Sequence, residues 1–171
     1  MAEKTNAQTL GKRKIVESLD REFARLHALS GGLIDQTSIE FLYASVAVSA
    51  HASLPSIGEC ILRSAAAVEQ TFGGITANLW DDPFEWTLPE HLSTPAKVRE
   101  HLAEVESLRQ RAFSSFLEDR CLVQHIATPA NDRQLLLDLL LTTLLRANSF
   151  QARAQLALKT VAGNSPPGFI I

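Results

Sequence analysis

The sequence predicts an all-α domain, an antiparallel four-helix bundle with long connections. Three observations carry this. Four segments place apolar residues at the 3.6-residue helical period. The segments are punctuated by residues that cap or stop helices. No segment demands a strand, and short helix pairs with two longer connections suit a bundle.

The first predicted helix runs from about Thr9 to Ser30, with Ile15, Leu19, Phe23 and Leu26 on one stripe and Gly31-Gly32 as its stop. The basic run Lys12-Arg13-Lys14 is followed by Glu17, Asp20 and Glu22 and reads as a solvated helix start. The stretch to Pro55 is the least regular part and reads as a long loop with a helical turn near Ser38.

The second predicted helix opens at Ser56-Ile57-Gly58-Glu59, the S-x-x-E form of a capping box. Ile57, Ile61, Ala65, Val68 and Phe72 make its buried stripe, and Gly73-Gly74 is read as its end. A long connection follows, with Trp80, Trp86 and two prolines that exclude a regular helix. The third helix opens at Thr94-Pro95, an N-cap with proline at the first helical position. Its stripe is Val98, Leu102, Val105, Leu108, Ala112 and Phe116. The fourth is expected to begin near Pro129 or Asn131 and run to about Val161. From Leu135 to Leu145 it is apolar nearly all round, more than one bundle face requires. This excess predicts a homodimer through the fourth helix.

A chain of 171 residues fits one domain and can bury a core without metal or disulfide staples. The expected layout is a disordered tail over 1–8, the bundle domain over 9–162 and a C-terminal tail over 163–171. A net charge of -3, with no basic stripe, argues against nucleic-acid binding. Asp138 and Thr142-Thr143 break the longest apolar runs, so no membrane span is expected. Met1 to Asn6 is polar and lacks a signal peptide's apolar core, which makes a cytoplasmic location the expectation.

Ser56-Ile57-Gly58-Glu59, Val68-Glu69, Trp80-Asp81-Asp82-Pro83-Phe84, Leu135 to Leu141 and Arg153-Ala154-Gln155-Leu156, in this order and spacing, resemble the DinB/YfiT-like superfamily over roughly residues 13–161. The resemblance implies a four-helix bundle, often dimeric, in a family where many members are metal-dependent enzymes, thiol S-transferases among them. It also implies a metal site of three histidines. In this chain their positions fall on Arg63, Asn148 and Ala152. No histidine occurs between Ala52 and Glu90 or after His125, so a shift in register supplies none. The expectation is therefore no metal and no cofactor.

The five histidines, His27, His51, His91, His101 and His125, form no i, i+4 pair and read as surface or loop residues. Cys60 is either a small buried hydrophobe or a thiol activated near a helix N-terminus. Arg63 and Asn148, with Gln151 nearby, either bind a carboxylate or phosphate or plug the pocket, Arg63 pairing with Glu59, Glu69 or Asp138. Trp80 and Trp86, with Asp81, Asp82 and Glu85, either form a lid or close one end of the bundle. The pocket candidates are thus Arg63, Asn148, Cys60, Gln151, Trp80 and Trp86. The expected function is binding of a small molecule or a partner without metal. The alternative is a metal-dependent thiol S-transferase or hydrolase with a non-standard site.

Overall fold

The computed structural model describes residues 12–49, 52–85, 91–129 and 133–164. Four long helices dominate it: α1 (Lys14–Asp35), α2 (Ile57–Ala77), α3 (Pro95–Ser115) and α4 (Leu136–Asn164). α1 packs on α3 and α4, and α2 packs on the same two, so α1 and α2 face each other across a diagonal. None of the described helices is long and apolar enough to cross a membrane.

The local signals act as read at two starts. Ser56 Oγ accepts from the Glu59 N–H at 3.2 Å, and Thr94 Oγ1 accepts from the Lys97 N–H at 3.3 Å. Ser38 precedes a one-turn helix, Ile39–Leu42. The glycine pairs do not act as stops: α1 runs through Gly31-Gly32 to Asp35, and α2 through Gly73-Gly74 to Ala77. Asn78, with φ at 56°, makes the left-handed turn that ends α2. Gly74 is instead a contact point, since a Cβ there would lie 2.4 Å from the Trp80 ring.

Two small antiparallel hairpins occupy connections read as loop. Val46–Ser49 (β1) pairs with Ala52–Leu54 (β2), and His125–Ala127 (β3) with Arg133–Leu135 (β4). β4 delays the start of α4 to Leu136, beyond the expected Pro129 or Asn131.

The helix directions correct the expectation of a simple antiparallel bundle. Asp20 meets Arg109 and Gly31 meets Arg99, so α1 and α3 are antiparallel. The Ser64 hydroxyl donates to the Ala147 carbonyl at 3.0 Å and Thr71 meets Thr143 at 2.7 Å, so α2 and α4 are antiparallel too. α2 and α3 are parallel: Tyr43, against Gly58 at the start of α2, donates to the Leu92 carbonyl at 2.7 Å just before α3. Farther along, Phe72 packs on Phe113. Parallel neighbours force the chain to return along the bundle. α2 is about 31 Å long, so about ten extended residues are the minimum. The described parts of the connection, residues 78–85 and 91–94, mark that return: Trp80 lies on Gly74, Phe84 under Arg63, and Leu92 beside Tyr43.

Phe23, Phe72 and Phe113, one each from α1, α2 and α3, form a buried aromatic cluster with centroids 5.1–5.6 Å apart. The α2 stripe Ile57, Ile61, Ala65, Val68 and Phe72 is buried as its period requires. On α1, Val16 is buried and Ile15 is exposed, so the stripe starts one residue later than read. Arg13 is not solvated. It donates to the Phe113 and Phe116 carbonyls at 2.6 and 2.7 Å, while Asp119 accepts from the Ile15 and Val16 N–H groups at 3.0 Å. Each helix terminus is capped by the neighbouring element's opposite charge.

Candidate functional site

Of the six expected pocket residues, the five described do not line one common pocket. Arg63 Nε donates to Glu59 Oε1 at 3.1 Å, and the guanidinium lies 4.0 Å from the Phe84 ring centroid. This holds Phe84, and with it residues 78–85, against α2. Asn148 is solvent-exposed on α4, and so is Ala152. Trp80 covers Gly74, its indole N–H donating to Asn78 Oδ1 at 3.1 Å. Trp86 lies outside the described residues.

Cys60 is fully buried. Burial, and next the Glu59 charge, push its thiol above the ordinary range, against the weaker pull of Arg153 and Arg63. A raised thiol carries little thiolate. Gln151 is also buried. Its amide donates to the Leu26 carbonyl at 2.5 Å and to Ser30 Oγ at 2.7 Å, tying α4 to α1. Its Oε1 has no hydrogen-bond partner, and Gln151 lines a cavity of about 20 Å3, room for one water.

The positions that the resemblance assigns to metal do not fit one. Arg63 is a cation already engaged with Glu59 and Phe84, and Asn148 and Ala152 sit on the solvent face of α4. Among the described residues, no three His, Cys, Asp or Glu side chains group so as to hold a metal ion.

A different constellation does form between α2 and α3. His101 Nε2 lies 3.6 Å from Glu69 Oε2, beyond hydrogen-bond range. Both atoms are buried and neither has a hydrogen-bond partner. Buried polar atoms are nearly always hydrogen-bonded, so this pair, within ion-pair distance but outside hydrogen-bond range, is the candidate site. Burial raises the Glu69 carboxyl above the ordinary range; His101 opposes the rise, and Glu104 adds to it.

Glu69 forms part of the wall of a groove of about 300 Å3, completed by Gly73, Thr76, Leu79, Pro83 and Leu108. Asp81 stands at the same groove. The connection that walls it is anchored. Gln70 donates to the Trp80 carbonyl at 2.8 Å and accepts from Arg146 at 3.2 Å, and Arg146 also faces Asp82 at 3.9 Å. A larger trough of about 460 Å3 runs between α1 and α4, past Gly32, Leu33 and Leu158, but no orphaned polar atom lines it.

His101 therefore leaves the group of surface histidines, since its side chain is only 10% exposed. Its partner is 32 positions away on another helix, so spacing along the chain could not reveal the pair. In the sequence Glu69 stands out as part of a motif and as a possible partner of Arg63, not as a partner of His101. Compared with family models, curated proteins and solved structures, the chain matches none.

Proposed function

We propose that the chain is a DinB/YfiT-like helical bundle that binds a small molecule without metal, in the groove between α2, α3 and residues 79–83. One observation carries the reading: Glu69 lines the groove, and its Oε2, buried against His101 at 3.6 Å, has no hydrogen-bond partner. Ligand sites of this size combine apolar walls with a few placed polar groups. Leu79, Pro83 and Leu108 supply the apolar wall here, and Glu69 and Asp81 the polar groups.

The groove's two charged groups are carboxylates, while Gln70 and the Thr76 hydroxyl on the same wall already bond within the protein; this selects a ligand that donates hydrogen bonds and bears positive charge. A primary ammonium on a short apolar body meets both demands. Its charge would favour the ionised form of Glu69, which burial disfavours.

Thermal-shift and NMR titrations with hexylamine and phenethylamine test the proposal, with hexanol and hexanoate as controls. The amines should bind, shifting resonances of Glu69, Thr76 and Leu108. Glu69→Gln should abolish the effect with the fold intact. Equal response to hexanol and hexanoate, or no response to the amines, defeats the proposal.

A further inference from the structure

The trough of about 460 Å3 lies between the C-terminal halves of α1 and α4. Leu29, Leu33, Leu158 and Ala162 make its walls apolar, and Lys159 is the one charged residue among the described residues that line it. Gly32 leaves its floor open, since a Cβ there would meet nothing within 4 Å. α1 and α4 run in the same direction here: the Gln151 amide meets the Leu26 carbonyl, and farther along both helices Leu158 shares the trough with Leu33. One end of the trough is therefore at Gln36 and Ala162, close to the last residue of α4, Asn164.

Beyond the described residues the sequence reads Ser165-Pro166-Pro167-Gly168-Phe169-Ile170-Ile171. Two prolines do not continue a helix, and a glycine permits the positive φ of a chain reversal. Three large apolar residues follow at once, and an apolar surface within reach removes them from water. Three extended residues cover about 10 Å. The trough follows α4 from Gln155 to Ala162 for about 10 Å as well. A segment tethered this closely has an effective concentration on the order of millimolar at that surface, so it outcompetes a second chain at micromolar concentration.

We infer that the trough between α1 and α4 is the docking site of Phe169, Ile170 and Ile171 of the same chain. The Phe169 ring fills the space that Gly32 leaves, and the isoleucines lie along Leu29 and Leu158. The contact ties the ends of α1 and α4 together, beyond the link that Gln151 makes to Leu26 and Ser30. This surface is separate from the groove at Glu69, so the inference stands whether or not that groove binds an amine.

Nuclear Overhauser contacts in the full chain test this. The Phe169 ring should contact the methyls of Leu29, Leu33 and Leu158, with intensities unchanged on dilution. Phe169→Ser with Ile170→Ser should shift those methyl signals, leave circular dichroism unchanged, and raise binding of the dye anilinonaphthalene sulfonate, which then finds the trough open. Gly32→Trp fills the trough while the tail stays intact, and chymotrypsin should then cleave after Phe169 about tenfold faster. Absent contacts, unmoved leucine methyls in the double-serine variant, or unchanged cleavage in Gly32→Trp overturn the inference. So do contacts seen only between differently labelled chains and fading on dilution, which would make a second copy the occupant. Dye binding by the wild type equal to that of the double-serine variant overturns it too, because the trough is then open to a small apolar anion.

Discussion

Replacing Arg109 by alanine should cost about 4 kcal/mol of stability. The Arg109 side chain is only 4% exposed. It makes a two-point contact with Glu106, Nη2 to Oε1 at 2.6 Å and Nε to Oε2 at 2.8 Å. Its Nη1 donates to the Asp20 carboxylate and, at 3.3 Å, to the Asp20 carbonyl. Truncation leaves the carboxylate of Glu106, 14% exposed, without its cation. Stranding one half of a buried pair costs about 3–5 kcal/mol. Asp20 is 37% exposed and rehydrates, so its share is small. Removing both charges with Arg109→Met and Glu106→Leu should stay within about 1 kcal/mol of the wild type, because the one partner left, Asp20, is exposed enough to rehydrate.

Urea unfolding followed by far-ultraviolet circular dichroism reads these differences, with unchanged slopes as the check that the unfolded state is comparable. The pH dependence has a definite sign. Burial alone would raise the Glu106 carboxyl, but the hydrogen bond and charge of Arg109, with Gln110 and His27, hold it below its ordinary value of 4.5. Its contribution is therefore present above that value and lost as pH falls through the lower folded-state pKa. The gap between wild type and Arg109→Ala should narrow in that acid range. A cost under about 1 kcal/mol for Arg109→Ala, or a double variant as damaged as the single one, would refute the reasoning.

Glu69 should show the opposite pH behaviour: its carboxyl is raised, so its contribution is lost as pH rises from 4.5 through the folded-state pKa. Glu69→Gln should remove that decline in thermal melts, whereas parallel profiles for the two proteins would contradict the buried-carboxyl reading. Gly74→Ala should destabilise by about 1–3 kcal/mol because the new Cβ displaces the Trp80 ring. Gly32→Ala, with open space around its Cβ, should instead stabilise by about 0.5–1 kcal/mol. Denaturant midpoints that move the same way in both variants would undo the assignment of Gly74 as a contact point.

What the sequence determined by itself is local. Ser56 and Thr94 start α2 and α3 because the capping hydroxyl and the N–H it satisfies lie three residues apart. The apolar period of α2 likewise identifies its buried stripe from Ile57 to Phe72, since neighbours along a helix face are also neighbours in sequence. The excess of leucines in the last helix was legible for the same reason, and two of them, Leu141 and Leu145, are exposed.

The tertiary structure decided whatever depends on distant partners. Gly73-Gly74 carries a stop signal, yet the helix continues because Trp80 packs on the bare backbone. Arg13 and Arg109 look like surface charges until the carbonyls of α3 and the carboxylates of Glu106 and Asp20 surround them. The parallel course of α2 and α3 lays residues 79–83 along the bundle, where they wall the groove. Glu69 and His101 meet only because those two helices pack side by side. Burial then leaves both atoms unpaired, a property of the packing that no spacing along one chain encodes.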